Sequence, residues 1–237
     1  MAQRNDGRPR HEQIAADLRK QILAGDLLPG MPLPSTPRLV ERYGAANPTI
    51  QKAIRSLKDE GFLYSQRGKG VYVRSRQPFL VEVATFYAPS PDGYSYQILE
   101  VAEVRPPREV AEALHLSPEG TAVIRRRLTR HRGEPVEIVE SYYPTEIAAG
   151  TELAGQGRID GGAPRALADL GYPQRHFTDR VSVRMPTTEE VGLLDLPNVP
   201  VIRQFRVIYT DNERPVEASV MVKGGHLYEL LYRQPAS

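Results

Sequence analysis

Apolar positions recur every three to four residues between Ile14 and Leu57, and every second residue after Gly61. The first period belongs to helices with one buried stripe, the second to strands. Ile14, Ala15, Leu18 and Ile22 predict a helix from about Pro9 to Ala24, ended by Gly25. LLPGMPLP then runs extended to Pro34. A second helix starts at Ser35, tolerates Pro37 in its first turn and buries Leu39, Val40 and Tyr43. Gly44 makes the turn into a third. There Asn47 is the expected cap and Pro48 the first helical residue, with Ile50, Ala53, Ile54 and Leu57 as the buried stripe. Gly61 suits the left-handed residue that closes it. Leu63 and Ser65, then Val71, Tyr72 and Val73, predict a hairpin around Gln66-Arg67-Gly68-Lys69-Gly70.

Three helices followed by a hairpin with a basic tip predict a winged helix-turn-helix. That shape lays one helix in the DNA major groove and a loop beside it. On the third helix, Thr49, Gln51, Lys52, Arg55 and Ser56 fall outside the buried stripe. Thr49, Gln51 and Lys52 are expected to meet base edges. Ser35, Arg55, Arg67 and Lys69 are expected to hold phosphates, and Gly68 lets the tip approach closely. The same glycines do not make a nucleotide-binding P-loop, since Gly-Lys-Gly has no earlier glycine at the required spacing and no following Ser or Thr.

Beyond Phe79 the helical period gives way to strand-like runs. PFLVEVATFY, YQILEVAEV, AVIRRRLTRH, PVEIVESYYP, FTDRVSVRM, PVIRQFRVIY and PVEASVMVK read as strands, with PPREVAEALHL, APRALADLG and TTEEVGLLDL as short helices. AVIRRRLTRHRGEPVEIVESYYP and PVIRQFRVIYTDNERPVEASVMV are similar to each other. Each is a strand, a turn ending in Pro-Val-Glu, and another strand, with a short helix before it. This weak internal duplication predicts one α+β domain of two related halves. The expected boundaries are 1–75 for the DNA-binding domain, 76–82 for a linker and 83–237 for the second domain.

Charge separates the same two regions. Residues 1–76 hold 14 Lys and Arg against 7 Asp and Glu, whereas residues 77–237 hold 17 against 22. A basic first part fits DNA, and an acidic second part fits something else. The chain has no cysteine, which excludes disulfides and thiolate zinc sites. His11, His115, His131, His176 and His226 are scattered without metal-ligand spacing. No run of about 18 apolar residues is present, and the polar start MAQRNDGRPR has no secretory apolar centre. A cytoplasmic protein with no membrane segment, metal or cofactor is expected.

Residues 9–75 resemble the DNA-binding domain of the GntR family of bacterial transcription regulators. QIAADLRKQILAGDLLPG, Pro34-Ser35, AIRSLKDEGFLY and GKGVYV carry the likeness. The chain departs from the family pattern at Pro37, Asn47 and Gln51, where the family commonly has the arginines that read guanine. An arginine fork suits guanine O6 and N7, whereas Gln suits adenine N6 and N7. An operator other than the family's usual core is therefore expected. Gln51 is the expected base reader and Lys52 the remaining candidate for guanine or phosphate.

Residues 80–233 resemble the UTRA ligand-sensing domain of the HutC-like branch of that family. HRGEPVEI, TDNERPVEA and Glu140-Ser141-Tyr142-Tyr143-Pro144 carry this second likeness. It implies a chorismate-lyase-like antiparallel sheet with a pocket formed by the two halves. It also implies a homodimer in which an effector alters the spacing of two DNA-reading domains. The residues implied for the effector are Arg125 and Arg127, Glu217 with Glu140 at the equivalent place in the first half, and Tyr142 and Tyr228 as walls. Alternation puts Arg125 and Arg127 on one strand face, where their forks suit a carboxylate or phosphate, so the effector is expected to be anionic. GGAPR stands where phosphosugar-binding members carry a small hydroxyl residue, which argues against that ligand.

The expected function is a sequence-specific transcriptional regulator, a repressor released from operator DNA by a small molecule. Two other readings stand beside it. One is a constitutive repressor whose second domain only dimerises, which a closed interior would favour. The other is a lyase-like enzyme, opposed by the lack of any Ser-His-Asp, Cys-His or metal arrangement.

Overall fold

The computed structural model describes residues 6–74, 79–82, 93–196, 199–225 and 228–232. Among the described residues, 6–74 belong to one compact unit, and Phe79 begins a second. In the first unit, α1 (Arg10–Ala24), α2 (Thr36–Tyr43) and α3 (Asn47–Asp59) precede a hairpin of β1 (Leu63–Gln66) and β2 (Gly70–Val73). Leu18, Leu39, Ile50, Ala53 and Leu57 are fully buried at its centre, with Leu63 and Val73 closing the core from the hairpin. Each large side chain buried this way contributes about 1.5–3 kcal/mol. Gly25 and Gly44 end α1 and α2 in the left-handed conformation that a Cβ would strain. Arg19 on α1 grips Glu60 at the end of α3 through two hydrogen bonds of 2.7 and 2.6 Å.

One boundary differs from expectation. Ala46, not Asn47, is the cap of α3, and no side chain there makes a capping bond. Asn47 and Pro48 occupy the first two helical positions. Backbone N–H groups there have no intrahelical partner, so proline costs no bond at either.

The second unit contains β3 (Phe79–Glu82), β4 (Tyr94–Val104), α4 (Arg108–Ala113), β5 (Ala122–His131) and β6 (Glu134–Pro144). It continues with α5 (Thr145–Ala148), a 3-10 turn at Glu152–Ala154, α6 (Gly162–Asp169) and β7 (His176–Arg184). α7 (Thr188–Leu194), β8 (Val201–Tyr209), β9 (Pro215–Gly224) and β10 (Tyr228–Leu231) complete it. Six strands form an antiparallel sheet in the order β4-β5-β6-β9-β8-β7. The duplication seen in the sequence is realised here: β4-α4-β5-β6 is repeated as β7-α7-β8-β9, and the halves join where β6 pairs with β9. The α+β class is as expected.

The linker at 76–82 needs correction. Phe79–Glu82 is a strand that pairs in parallel with β10, because its backbone finds a partner more than 140 residues away. Residues 75–78, the remainder of PFLVEVATFY after Glu82, and His226 lie outside the described residues.

The two faces of the sheet have different jobs. One is apolar: Ile124, Tyr142, Phe205 and Val207 pack under Val110 of α4 and Leu114 at its end, while Leu128, Ile138 and Val222 pack with Leu194 of α7. The other is apolar only at one end, where Val123, Tyr143 and Ile208 meet Ile147, Leu153 and Leu167. Its centre is polar.

α7 opens with a capping box, in which Thr187 Oγ1 accepts from the Glu190 N–H and the Glu190 carboxylate accepts from the Thr187 N–H. Arg184 donates two hydrogen bonds of 2.7 and 2.6 Å to the same carboxylate. These bonds hold Glu190 below its ordinary value of 4.5 against the opposing effect of burial. A lowered folded pKa gives stability that is present above the unfolded pKa and lost as pH falls through the folded one. Glu190→Gln should therefore cost about 1–2 kcal/mol near pH 7. In urea titrations the gap from wild type should close as pH falls below the ordinary value of 4.5; a gap independent of pH would reject this origin.

Candidate DNA-reading surface and effector site

On α3, Gln51, Lys52 and Arg55 are exposed and Thr49 is half-buried. Ser35 caps α2 through its backbone alone, which leaves its hydroxyl exposed. Arg67, Gly68 and Lys69 form the exposed tip between β1 and β2, closed by a 3.0 Å bond from the Lys69 N–H to the Gln66 carbonyl. Gly68 has φ +74°, so the tip needs glycine there. Lys58 Nζ donates to Ser65 Oγ at 2.6 Å and ties α3 to β1. Gln51 Nε2 donates to Thr36 Oγ1 at 3.0 Å, which joins the exposed side of α3 to the start of α2. Thr36 had no place in the sequence reading, since nothing in one dimension sets it beside Gln51.

On the polar face of the sheet, Arg125 and Arg127 share a side as alternation requires, and the pairings of Arg125 with Ser141 and of Ser141 with Ser219 carry that side across the sheet. Arg127 Nη2 donates to Ser141 Oγ at 3.4 Å, a long bond. Ser141 and Ser219 hydroxyls are 2.8 Å apart, and Ser219 donates to Glu217 Oε1 at 2.6 Å. A hydroxyl has one hydrogen. Ser219 spends its own on Glu217, so Ser141 must be the donor between the two serines. The result is a chain running from cation to anion across β5, β6 and β9, with both serines and Glu217 buried. Tyr143 lies against it, and burial together with the Glu217 charge pushes its hydroxyl pKa up.

The two arginines are not equivalent. Arg125 is 3% exposed, and its guanidinium donates to the carbonyls of Leu153 at 3.1 Å, Gly155 at 2.5 Å and Gly157 at 2.7 Å, with a longer bond to Glu152. Burial pushes its pKa down, and the Arg127 charge adds to this. Arg125 therefore anchors the 152–157 loop. Arg127 keeps capacity: its Nε is buried with no hydrogen bond to the described residues, and its guanidinium lies 5.6 Å from the Tyr96 ring centre.

Glu140 and Tyr142 do not join this group. β6 places them opposite Arg126 and Ile124 on the apolar face. There Arg126 bridges Glu140 at 3.0 Å and Glu189 at 2.6 Å, and the Tyr142 hydroxyl donates to Glu140. An even step along a strand keeps a face and an odd step leaves it. Counting from the shared Pro-Val-Glu turn makes Glu137, not Glu140, the counterpart of Glu217. Glu137 instead pairs with Lys223 at 2.5 Å. Tyr228 starts β10 and is buried, its ring centre 5.9 Å from Lys223 Nζ.

Ser141 and Ser219 had no role in the sequence reading, nor had Asp179, Arg206, Gln204, Glu137 and Lys223 further along the same face. A cleft of about 500 Å³ lined by Leu114, His115, Pro144, Glu146, Arg214 and Pro215 contains none of the expected site residues. Among the described residues no three His, Asp or Glu side chains are grouped to hold a metal. No described helix is long and apolar enough to cross a membrane.

Residues 92–229 match the UTRA domain model, and residues 10–73 match the model of bacterial regulatory proteins of the gntR family. The chain is 32% identical over 94% of its length to SCO4628 of Streptomyces coelicolor, an uncharacterized helix-turn-helix transcriptional regulator of which it covers 92%. The chain belongs to the GntR family. It is 26% identical to the transcriptional repressor NagR of Bacillus subtilis, with 94% of each chain covered. A crystal structure assigned to GntR-family transcriptional regulators superposes with a TM-score of 0.69 at 26% identity, covering 97% of this chain and 99% of that one. PhnF of Mycobacterium smegmatis shares the fold, with a TM-score of 0.59 at 16% identity over 94% of this chain and all of that one. This GntR-family chain is thus a transcriptional regulator with a UTRA effector domain, and the lyase reading falls.

Proposed function

We propose that this GntR-family chain is a cytoplasmic repressor that holds operator DNA as a homodimer and releases it when a small anion enters the polar face of its UTRA domain. The DNA-reading part ends near residue 75, and the effector part begins at Phe79 rather than at 83. Thr49, Gln51 and Lys52 meet bases, and Ser35, Arg55, Arg67, Gly68 and Lys69 lie along phosphates. The observation that supports an effector is the buried chain from Arg127 through Ser141 and Ser219 to Glu217. A long first bond and an unsatisfied Arg127 Nε leave a donor surplus at one end and a carboxylate at the other. A carboxylate or phosphate at Arg127 would complete that donor set, while a ligand hydroxyl could donate to Glu217.

The relation to effector follows the logic of two linked sites: an anion that favours one domain spacing lowers DNA affinity by its differential binding. The constitutive reading has its own support, because Arg125 is committed to loop carbonyls and much of the polar face is buried. Selection of bound sequences from random DNA by the full-length protein tests the first part. Two inverted half-sites are expected; no enriched sequence would overturn operator binding. Release of that DNA by a panel of phosphates and small carboxylates tests the second. Wild type should respond to a member, and Arg127→Ala should bind DNA but not respond. No response in wild type would favour the constitutive repressor.

A further inference from the structure

Gln51 is the exposed residue of α3 whose side chain another element holds in place by hydrogen bonding. Its partner, Thr36, is half-buried in the first turn of α2, and the bond runs from Gln51 Nε2 to Thr36 Oγ1 at 3.0 Å. A free glutamine on a helix surface has three rotatable bonds and presents either end of its amide. Here one end is fixed.

The accounting of the amide then decides what it can read. A glutamine amide has two N–H donors and an oxygen with two lone pairs. Thr36 takes one donor. What remains is one N–H beside one carbonyl oxygen, a donor–acceptor pair. In the major groove adenine shows an acceptor, N7, beside a donor, the N6 amino group. Guanine shows two acceptors, cytosine only a donor, and thymine an acceptor beside a methyl group. Adenine is the base that satisfies both remaining groups.

We propose that Thr36 and Gln51 form a two-residue adenine reader in each half-site, with Gln51 touching the base and Thr36 the positioning residue behind it. The inference rests on the operator-binding reading above and deepens it. Thr36 lies on a different helix from the base-contacting residues and reaches no base itself, yet it sets which base is accepted. Holding the amide in advance removes the rotamer entropy that a free glutamine would lose on contact.

The test is selection from random DNA with four full-length proteins: wild type, Gln51→Ala, Thr36→Val and Thr36→Ser. Gln51→Ala identifies the position, as the one whose base preference vanishes while the rest of the half-site persists. Wild type should choose adenine there. Thr36→Val, which has the same shape without the hydroxyl, should relax the preference at that position alone. A bidentate base contact discriminates by about five- to 150-fold, so the loss should reach at least about fivefold. Thr36→Ser keeps a hydroxyl and should restore it. A folding defect would weaken every position together, so a single-position change separates positioning from stability.

Undiminished adenine preference in Thr36→Val overturns the proposal. So does a wild-type preference for a G·C pair at the Gln51 position, which would mean the amide meets the two guanine acceptors with its two donors. An enriched palindrome that Gln51→Ala leaves unchanged throughout overturns this proposal and spares operator binding. Absence of any enriched sequence for wild type overturns both.

Discussion

Arg206→Ala is expected to lower the stability of the second unit by about 3–5 kcal/mol, the cost of leaving one member of a buried ion pair unmatched. Arg206 and Asp179 side chains are 1% and 6% exposed, and two bonds of 2.6 Å join them in a fork-to-carboxylate contact. Asp179 also accepts from Gln204 Nε2 at 3.0 Å and from the Tyr232 hydroxyl at 3.2 Å. The guanidinium lies 3.8 Å from the Phe177 ring centre. Removing Arg206 strands a desolvated carboxylate with only neutral partners. Asp179→Asn should be costly for the mirror reason, since it leaves a buried cation.

The double variant Arg206→Met with Asp179→Leu should recover most of the loss. An ion pair replaced whole by apolar side chains no longer needs desolvated charges to be matched. Urea unfolding followed by tyrosine fluorescence is a suitable measurement, because the chain has 12 Tyr and no Trp. Single variants within about 1 kcal/mol of wild type would place this pair with the weak surface bridges instead.

Arg125→Met is expected to free the 152–157 loop and to cost about 2–4 kcal/mol, as several loop carbonyls lose a charged donor at once. Arg125→Lys should rescue little. A lysine is a point charge on a flexible stem and cannot reproduce a planar fork aimed at three directions. Trypsin provides the local readout, since exposed Arg158 lies just beyond the anchored carbonyls. Cleavage after Arg158 should accelerate in Arg125→Met while cleavage in the first unit is unchanged. Equal rates for both proteins would show that the loop holds itself.

Arg125 and its two neighbours look alike in the sequence and differ in the fold. IRRRL contains three consecutive arginines. One anchors a loop, Arg126 bridges two glutamates on the opposite face, and Arg127 retains unused donors. Alternation separates Arg126 from its neighbours without a structure. The different fates of Arg125 and Arg127 depend on a loop some 30 residues away, which periodicity does not address.

The separation of Glu140 and Tyr142 from Arg125 and Arg127 has a related cause. Both stand in the family-like Glu-Ser-Tyr-Tyr-Pro run, and chemistry alone made them attractive. Strand parity sends them to the packed face, and Ser141 between them faces the polar one. The Asn47 cap failed by one residue, because Pro48 is compatible with either of the first two helical positions.

What the sequence by itself determined was everything carried by local period and turn chemistry. Three helices and a winged hairpin, the duplicated strand–turn–strand halves, the basic and acidic regions and the family all follow from neighbours along the chain. Gly44 and Gly68 could be read in advance because φ is a local property. Tertiary structure alone decided which polar groups are spent on one another. Thr36 meeting Gln51, Arg125 meeting the loop carbonyls, Arg206 meeting Asp179 and Phe79–Glu82 pairing with β10 each join residues distant in sequence. A hydrogen bond depends on positions within a few tenths of an ångström, and only packing of the whole sheet or helix set supplies them.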